Sequence, residues 1–268
     1  MQRLRLALAV LVASFASSST LLAQTNVSPN LGAGVGSFVT DRYNPASFSV
    51  VDGVQGRNDV LQIGIDQTTD LANRPGGFQS TFYNTQGKKL NTDVPGSWYF
   101  ESDLFVDAGW RDSGSGYVRT DIWATATSDA AFSSPSAYPI LGFTNYGGAG
   151  RFRGYDINTG LWVDYAGAVN YDAWNTLRMA FDAGTNTFSY SVNGVLFSSI
   201  VGTGPSTGVS DVMYQAYNFN DASLNVSGNP AYTVSWSNTP ASVPEPSGAA
   251  LLLAGFAGLA AVRRRRTV

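Results

Sequence analysis

The chain has 268 residues, of which 44% are hydrophobic, and its 19 acidic and 16 basic residues give a formal net charge of −3. It contains neither cysteine nor histidine, which excludes disulfides, a Ser-His-Asp triad, a cysteine nucleophile and an ordinary zinc site. Residues 24–242 hold seventeen aspartates and one glutamate against ten lysines and arginines, a net charge of −8. Such a charge disfavours nucleic acid as a partner and, without divalent ions, strongly acidic glycans.

The N-terminus predicts a secretory signal peptide over residues 1–23. Arg3 and Arg5 precede a short apolar run at residues 6–12, and small residues follow it. This order is typical of export through the secretion translocon, and the run is shorter than the roughly 20 residues that span a bilayer. We expect cleavage after Ala23. An uncleaved anchor or a buried N-terminal helix is the alternative.

Residues 24–242 predict one all-β domain, because short alternating runs recur between turn residues and helical periodicity is absent. No linker-like stretch divides them. Apolar residues at alternate positions share one face in each of three early runs, and Glu101 and Asp103 take the opposite face of the second. The apolar positions are Leu61, Ile63 and Ile65, then Trp98, Phe100, Leu104 and Val106, then Val118, Ile122 and Ala124.

The clearest unit is a three-strand meander over residues 174–200. Asn193-Gly194 joins its last two strands and matches a type I′ turn, in which both central residues need positive φ. The alternating apolar positions of its first two strands are Leu177, Met179, Phe181, Phe188, Tyr190 and Val192. Later strand candidates are residues 212–219 and 232–236.

The meander Trp-Asn-Thr-Leu-Arg-Met-Ala-Phe-Asp, then Thr-Asn-Thr-Phe-Ser-Tyr-Ser-Val-Asn-Gly, resembles the corresponding stretch of concanavalin A-like and laminin G-like jelly-roll domains. The resemblance implies two stacked antiparallel sheets of about a dozen strands. It also implies carbohydrate binding on a concave sheet face or at loop ends.

The C-terminus carries a Pro-Glu-Pro strip, an apolar stretch at residues 248–262 and an arginine cluster. As a helix the stretch would be about 22 Å long, a marginal membrane span, and the arginines should stay cytoplasmic. This tail resembles the PEP-CTERM sorting signal of Gram-negative bacteria. The resemblance implies that an exosortase recognises the Pro-Glu-Pro and removes the tail. The matching residues are Val243, Pro244, Glu245, Pro246, Arg263, Arg264, Arg265 and Arg266. An ordinary tail anchor is the alternative.

The tryptophans divide into expected core residues and candidate ligand-binding residues. We expect Trp98, Trp174 and Trp236 in the core, in phase with aliphatic residues. Other aromatic residues lie in or near polar, glycine-rich stretches, where an exposed ring can stack on a sugar, and core packing is the alternative for each. These candidate carbohydrate-binding residues are Trp110, Trp123, Trp162 and Tyr165.

Calcium is the one candidate cofactor. Carboxylates supply the oxygen ligands that calcium prefers, but no twelve-residue Asp-x-Asp-x-Asp-Gly loop is present. Solvated loop aspartates are the alternative. The candidate ligands are Asp103, Asp107, Asp112 and Asp121.

We expect no catalytic activity. Retaining glycosidases need two carboxylates, and the glucanases that share this fold place them in a Glu-x-Asp-x-x-Glu strand. Glu101 is the single glutamate of residues 24–242, so Glu101-Ser102-Asp103 lacks its second glutamate. An aspartate pair elsewhere or a Tyr/Arg lyase centre stays open.

The sequence therefore predicts an exported protein of the cell surface or extracellular matrix of a Gram-negative bacterium, transiently anchored in the inner membrane. Exosortase, the translocon and exopolysaccharide are its expected partners, and it meets the membrane through the C-terminal segment before processing. Its jelly-roll domain is predicted to bind polysaccharide. The alternatives are a structural biofilm or cell-surface protein without a small ligand, and a glycan hydrolase or lyase.

Overall fold

In a computed structural model the described residues are 24–66, 74–226 and 228–238, and they form an all-β structure. The strands are β1 (Thr25–Asn26), β2 (Val39–Thr40), β3 (Ser47–Val51), β4 (Val60–Ile65), β5 (Thr85–Pro95), β6 (Trp98–Val106), β7 (Arg119–Thr127), β8 (Pro135–Ala137), β9 (Ile140–Thr144), β10 (Arg151–Tyr155), β11 (Trp162–Asp164), β12 (Ala173–Asp182), β13 (Thr187–Val192), β14 (Val195–Val201), β15 (Gly208–Tyr217) and β16 (Tyr232–Ser237). Short 3₁₀ helices cover Leu31–Ala33, Gly76–Phe78, Thr81–Tyr83, Ala108–Trp110, Ser113–Ser115 and Ala222–Leu224.

The strands form two eight-stranded sheets that stack as a jelly-roll sandwich. Sheet A has the order β14-β13-β12-β6-β16-β4-β3, with β1 beside β6. Sheet B has the order β11-β10-β9-β7-β15-β5-β2, with β8 beside β7. Within the described chain the pairings are antiparallel, except that β1 runs parallel to β6. The predicted antiparallel two-sheet sandwich is confirmed, and short strands such as β1 and β2 raise the number of strands among the described residues to sixteen.

The predicted signal peptide and sorting tail lie outside the described residues, so cleavage after Ala23 and removal of the tail by an exosortase remain predictions. The predicted C-terminal helix also lies outside them, and the domain boundaries at residues 24 and 242 remain predictions. In the part of the chain that the structure describes, no helix has the length and apolarity needed to span a bilayer.

The core lies between the sheets and is built by the alternating residues that the sequence predicts. Trp98, Phe100, Leu104 and Val106 of β6 are fully buried, while the residues between them are more exposed, apart from Ser102. Aromatic contacts tie the sheets together, since Phe100 of sheet A meets Tyr214 of sheet B with ring centroids 5.3 Å apart. Edge-to-face pairs of this kind add about 0.5–1.5 kcal/mol to the effect of burial.

Trp236 supplies a polar link across the same core. Its indole Nε1 donates a 2.9 Å hydrogen bond to the hydroxyl of Thr120 on the facing sheet. The predicted hairpin is also present, since Asn193 and Gly194 have φ values of 50° and 78°. Both values fit the type I′ turn.

Trp174 corrects one prediction about the core. Leu177 and Met179 of β12 point inward, and Trp174 differs from them by an odd number of positions, so the two-residue repeat places it on the outer face of sheet A. There it is partly exposed, with the Arg57 guanidinium 4.3 Å from its ring and the ring of Phe105 at 5.5 Å.

Candidate functional site

The outer face of sheet B, which points away from the core, is covered over its centre. All nine residues of β7 are buried, whereas β6 of sheet A is fully buried mainly at alternate positions. A strand buried on both faces needs a second layer above its outer side chains. Here that layer holds aromatic and charged side chains, and it is the part of the molecule best suited to hold a ligand.

Aromatic side chains form one end of this face. Trp123 of β7 lies beside Met213 of β15 and Ile140 of β9, and the three form a small apolar cluster separate from the main core. Tyr155 and Trp162 pair across β10 and β11 at the edge of the cluster, with ring centroids 5.2 Å apart. The rings therefore run across the sheet from its edge strand towards its centre.

Charged and amide side chains occupy the next rows. Arg119 donates from Nε to Asp121 at 2.7 Å, and both side chains are nearly inaccessible to solvent. Gln215 lies opposite Asp121 and donates from Nε2 to Asp41 at 2.9 Å. Burial raises the pKa of Asp41, and the neighbouring Arg42 acts in the opposite direction. This face is therefore polar although it is buried.

Two glycines flank the buried Asp121 and Gln215. Gly142 is the register partner of Asp121, and Gly87 is that of Gln215. A Cβ atom at Gly142 would lie 2.2 Å from the carbonyl oxygen of Thr120, and one at Gly87 would lie 2.1 Å from that of Tyr214. Only glycine fits at such close backbone approaches, so no side chain at either position can screen the two polar groups.

Several buried polar atoms on this face have no hydrogen-bond partner among the described residues. Buried polar groups in folded proteins almost always have partners, so a concentration of exceptions marks a place where a ligand or water binds. The atoms are Arg119 Nη2, Asp121 Oδ1, Trp123 Nε1, Arg153 Nε and Gln215 Oε1.

Residues 74–84, here called the covering segment, lie over the centre of the face. Phe82 of this segment contacts the rings of Trp123 and Tyr155, with centroids 5.7 and 5.8 Å away. Thr81 accepts a 2.5 Å hydrogen bond from the hydroxyl of Tyr217. The covering segment therefore contacts both the aromatic residues of the face and the polar region near Tyr217.

Phe82 separates two cavities, both of which it lines. The larger, of 470 Å³, lies on the side of Trp123 and Met213 and reaches Asp211. The smaller, of 290 Å³, is lined by Arg119, Arg153, Trp162 and Tyr217. Burial raises the pKa of Tyr217 to about 12, so its phenol is neutral at physiological pH.

The structure brings two of the four predicted sugar-binding aromatics together. Trp123 and Trp162 both lie on the outer face of sheet B, although Trp123 is only 3% exposed beneath Phe82. Trp110 packs against Phe143 and lines a different cavity, beside the outer face of sheet A. Tyr165 packs on Phe152 and Phe197 at the margin of the main core. Neither belongs to the covered face.

The candidate calcium ligands do not converge. Asp103 pairs with Arg57, and Asp121 pairs with Arg119 on the other sheet. Asp107 and Asp112 accept hydrogen bonds from backbone N–H groups of their own loops. Among the described residues no three acidic side chains form a group that could hold a metal ion.

Glu101 lies on the outer face of sheet A, where it is 3.4 Å from Arg178, and is therefore far from the aromatic face. Among the polar residues of the site, Asp121 was named in the sequence only as a candidate calcium ligand, and Arg119, Arg153 and Gln215 were missed. Arg119, Asp121 and Trp123 alternate along one strand, as do Arg151 and Arg153 around the buried Phe152. The same two-residue repeat that identified the core also indicated a second face rich in arginine.

The fold and this face define a jelly-roll protein with a covered aromatic and polar surface on one sheet. No protein-family model matches the chain, and no curated protein sequence matches it.

Solved structures of similar fold were found at low sequence identity. One is an endo-1,3-β-glucanase from Streptomyces sioyaensis, with a TM-score of 0.47, 14% identity, and coverage of 80% of this chain and 90% of that one. Another is a marine PL7 alginate lyase from Zobellia galactanivorans, with a TM-score of 0.45, 11% identity and coverage of 74% and 79%. A carbohydrate binding module, CBM66 from Bacillus subtilis, has a TM-score of 0.36, 11% identity and coverage of 73% and 95%.

These structures correct the expectation that the protein is not an enzyme. The similar structures are mostly glycoside hydrolases, with an alginate lyase among them. At 10–14% identity the likeness concerns the fold alone, and the activities belong to those proteins.

Proposed function

We propose that the outer face of sheet B binds a polysaccharide. The observation that carries this proposal is the grouping of Trp123, Tyr155 and Trp162 with buried hydrogen-bonding side chains around cavities of 470 and 290 Å³. A sugar presents apolar C–H faces and a rim of hydroxyl groups. Ligand sites typically combine aromatic walls with a few polar groups that fix orientation.

The polar groups suit sugar hydroxyls. Trp123 Nε1 at the larger cavity and Arg119 Nη2 at the smaller are donors, and each is buried without a partner in the described part of the chain. A hydroxyl both donates and accepts, so a sugar hydroxyl can accept from either group. A buried polar group that gains a partner on binding stops costing desolvation energy.

We infer that this binding takes place outside the cytoplasm. The support is the sequence of both ends: a signal peptide over residues 1–23 and a tail with Pro244, Glu245, Pro246 and the arginine cluster at residues 263–266. In this proposal an exosortase processes the tail, and the protein joins the cell surface or extracellular matrix. Mass spectrometry of the mature protein from its host tests it, and an intact C-terminus that retains Arg263 would refute processing.

The binding proposal is tested by titrating the purified protein with a panel of neutral and acidic polysaccharides in affinity electrophoresis and calorimetry. We expect saturable binding to at least one polymer. Trp162→Ala should weaken it about tenfold, the effect of losing one aromatic anchor. Trp174→Ala is the matched control, because this partly exposed tryptophan lies on the outer face of the other sheet.

Equal losses from Trp162→Ala and Trp174→Ala would place the site elsewhere. No saturable binding across the panel would favour the alternative of a structural surface protein without a small ligand. Release of shorter oligosaccharides from the bound polymer would add catalysis to the binding function.

A further inference from the structure

Arg153 differs from the other cations on the outer face of sheet B. In the part of the chain that the structure describes, Arg153 makes no ion pair, whereas each neighbouring cation has a carboxylate partner. The pairs are Arg42 with Asp41 at 2.9 Å, Lys89 with Asp211 at 3.6 Å, Arg119 with Asp121 at 2.7 Å and Arg151 with Asp164 at 3.0 Å. One positive charge on this face is therefore left over.

That charge faces the smaller cavity together with Arg119. Both arginines line the 290 Å³ cavity, and both pack on Trp162, with guanidinium carbons 3.9 Å (Arg153) and 4.9 Å (Arg119) from the ring centroid. Each also has a buried nitrogen without a hydrogen-bond partner among the described residues: Nε of Arg153 and Nη2 of Arg119. The aromatic ring holds the two planar groups in fixed orientations.

The side chain of Arg153 is partly buried and cationic. Burial, followed by repulsion from Arg119, lowers the pKa of Arg153 to about 10. A group with that pKa is fully protonated at neutral pH. Holding an unpaired charge partly out of water has a cost that a neighbouring anion removes.

We propose that this cavity binds an anionic substituent of the polysaccharide, a uronate carboxylate or a sulfate ester, and that Arg153 supplies the compensating charge. The inference rests on the proposed polysaccharide-binding function and specifies its ligand class. Guanidinium groups bind carboxylate and sulfate oxygens through paired, charge-assisted hydrogen bonds. A neutral sugar would leave the charge of Arg153 uncompensated.

The charge at this cavity is opposite in sign to the net charge of residues 24–242. A net charge of −8 over residues 24–242 disfavours acidic glycans over most of the surface. Arg119 and Arg153 are a local exception, in a cavity that Ser80, Thr81 and Phe82 of the covering segment also line. Specificity at this cavity is set by the nearest charges, because screening by salt weakens contributions from distant surface groups.

The experiment compares polymers that share a backbone and differ in charge. The probes are polygalacturonate against its methyl ester, and dextran sulfate against dextran, measured by calorimetry at low and physiological salt. Arg153→Gln removes the charge, and because Arg153 holds no carboxylate, it leaves no anion unpaired. Arg111→Gln is the matched control, since Arg111 also stacks on an aromatic ring, that of Tyr171 at 4.3 Å, but lies outside the cavity. Thermal unfolding verifies that both variants fold.

We expect one charged polymer to bind more tightly than its neutral counterpart. Salt should weaken the affinity for the charged polymer. Arg153→Gln should reduce that affinity about ten- to hundredfold, the usual effect of losing a hydrogen bond to a charged group, and Arg111→Gln should not. Binding of polygalacturonate would indicate a carboxylate ligand, and binding of dextran sulfate would indicate a sulfate ester. Equal binding of charged and neutral polymers, or no effect of Arg153→Gln, would overturn the anionic specificity and leave the proposed binding function standing. If no polymer in this set or in the wider panel bound, the binding function itself would fall.

Discussion

Phe82 lies over Trp123 with ring centroids 5.7 Å apart, and this contact closes the centre of the outer face of sheet B. Phe82 is also the one residue that the linings of the two cavities share. The covering segment thus determines how much of the aromatic face a polymer can reach.

Phe82→Ala should expose Trp123. We expect stronger quenching of tryptophan fluorescence by acrylamide and a free energy of unfolding lower by about 1–2 kcal/mol, from the loss of ring contacts at a partly buried site. Phe78→Ala is the control, because Phe78 belongs to the same segment but contacts Tyr83, at 5.1 Å. Equal quenching in the two variants would show that Phe82 does not shield Trp123.

Two tryptophan substitutions should differ sharply in their cost. Trp98 is fully buried between the sheets, so Trp98→Ala should lower the free energy of unfolding by about 3–5 kcal/mol. Trp174→Ala should lower it by only about 1–2 kcal/mol, the value of one cation–π and one aromatic contact. Urea denaturation measures both, and similar losses would contradict the placement of Trp174 on the outer face of sheet A.

The Arg119–Asp121 pair should be far more costly to break than the Arg151–Asp164 pair. Asp121 has 1% of its side chain exposed and Asp164 has 54%. Asp121→Ala leaves the Arg119 charge buried and unpaired, which should cost about 3–5 kcal/mol, whereas Asp164→Ala should cost less than about 1 kcal/mol. Adding Arg119→Met to Asp121→Ala should restore part of the loss in urea denaturation. An additive double variant would show that the two charges do not interact.

Alkaline pH should unfold the protein through its buried tyrosines. Burial raises the pKa of Tyr217 from 10.0 to about 12, and it raises the pKa of Tyr190, Tyr214 and Tyr232 as well. The folded protein holds these protons more tightly than the unfolded chain. The free energy of unfolding is therefore unaffected by these groups below pH 10 and falls as pH rises above it.

Absorbance of tyrosinate and circular dichroism, recorded together during the alkaline titration, test this expectation. Part of the tyrosinate signal should appear only as the strand signal is lost. Complete ionisation of all thirteen tyrosines in a protein that keeps its strand signal would contradict it.

Much of the sandwich could be predicted from local alternation. A strand with one face in the core repeats every two residues, and the apolar positions of β6, β12 and β13 follow that rule. The error at Trp174 was one of phase, because Trp174 lies three positions before Leu177 and an odd separation places the two on opposite faces of β12.

The site was harder to predict because it depends on contacts between distant parts of the chain. Phe82 meets Trp123, and Tyr217 donates to Thr81, across separations that no local pattern records. The unpaired charge of Arg153 depends on the ion pairs of its neighbours, and those pairs form only in the folded structure. Trp123 and Trp162 were identified in the sequence because a tryptophan in a polar stretch is unusual by itself.

The strands β1 and β16 share one edge of β6, with Asn26 opposite Tyr99 and Ser237 opposite Asp103. Asn238 also donates a 2.7 Å hydrogen bond to the carbonyl oxygen of Pro29. The two ends of the folded sandwich therefore leave from a single flank, on sheet A. A tether or fusion partner joined at either end would start from the side remote from the covered aromatic face, which could then point away from whatever surface holds the protein.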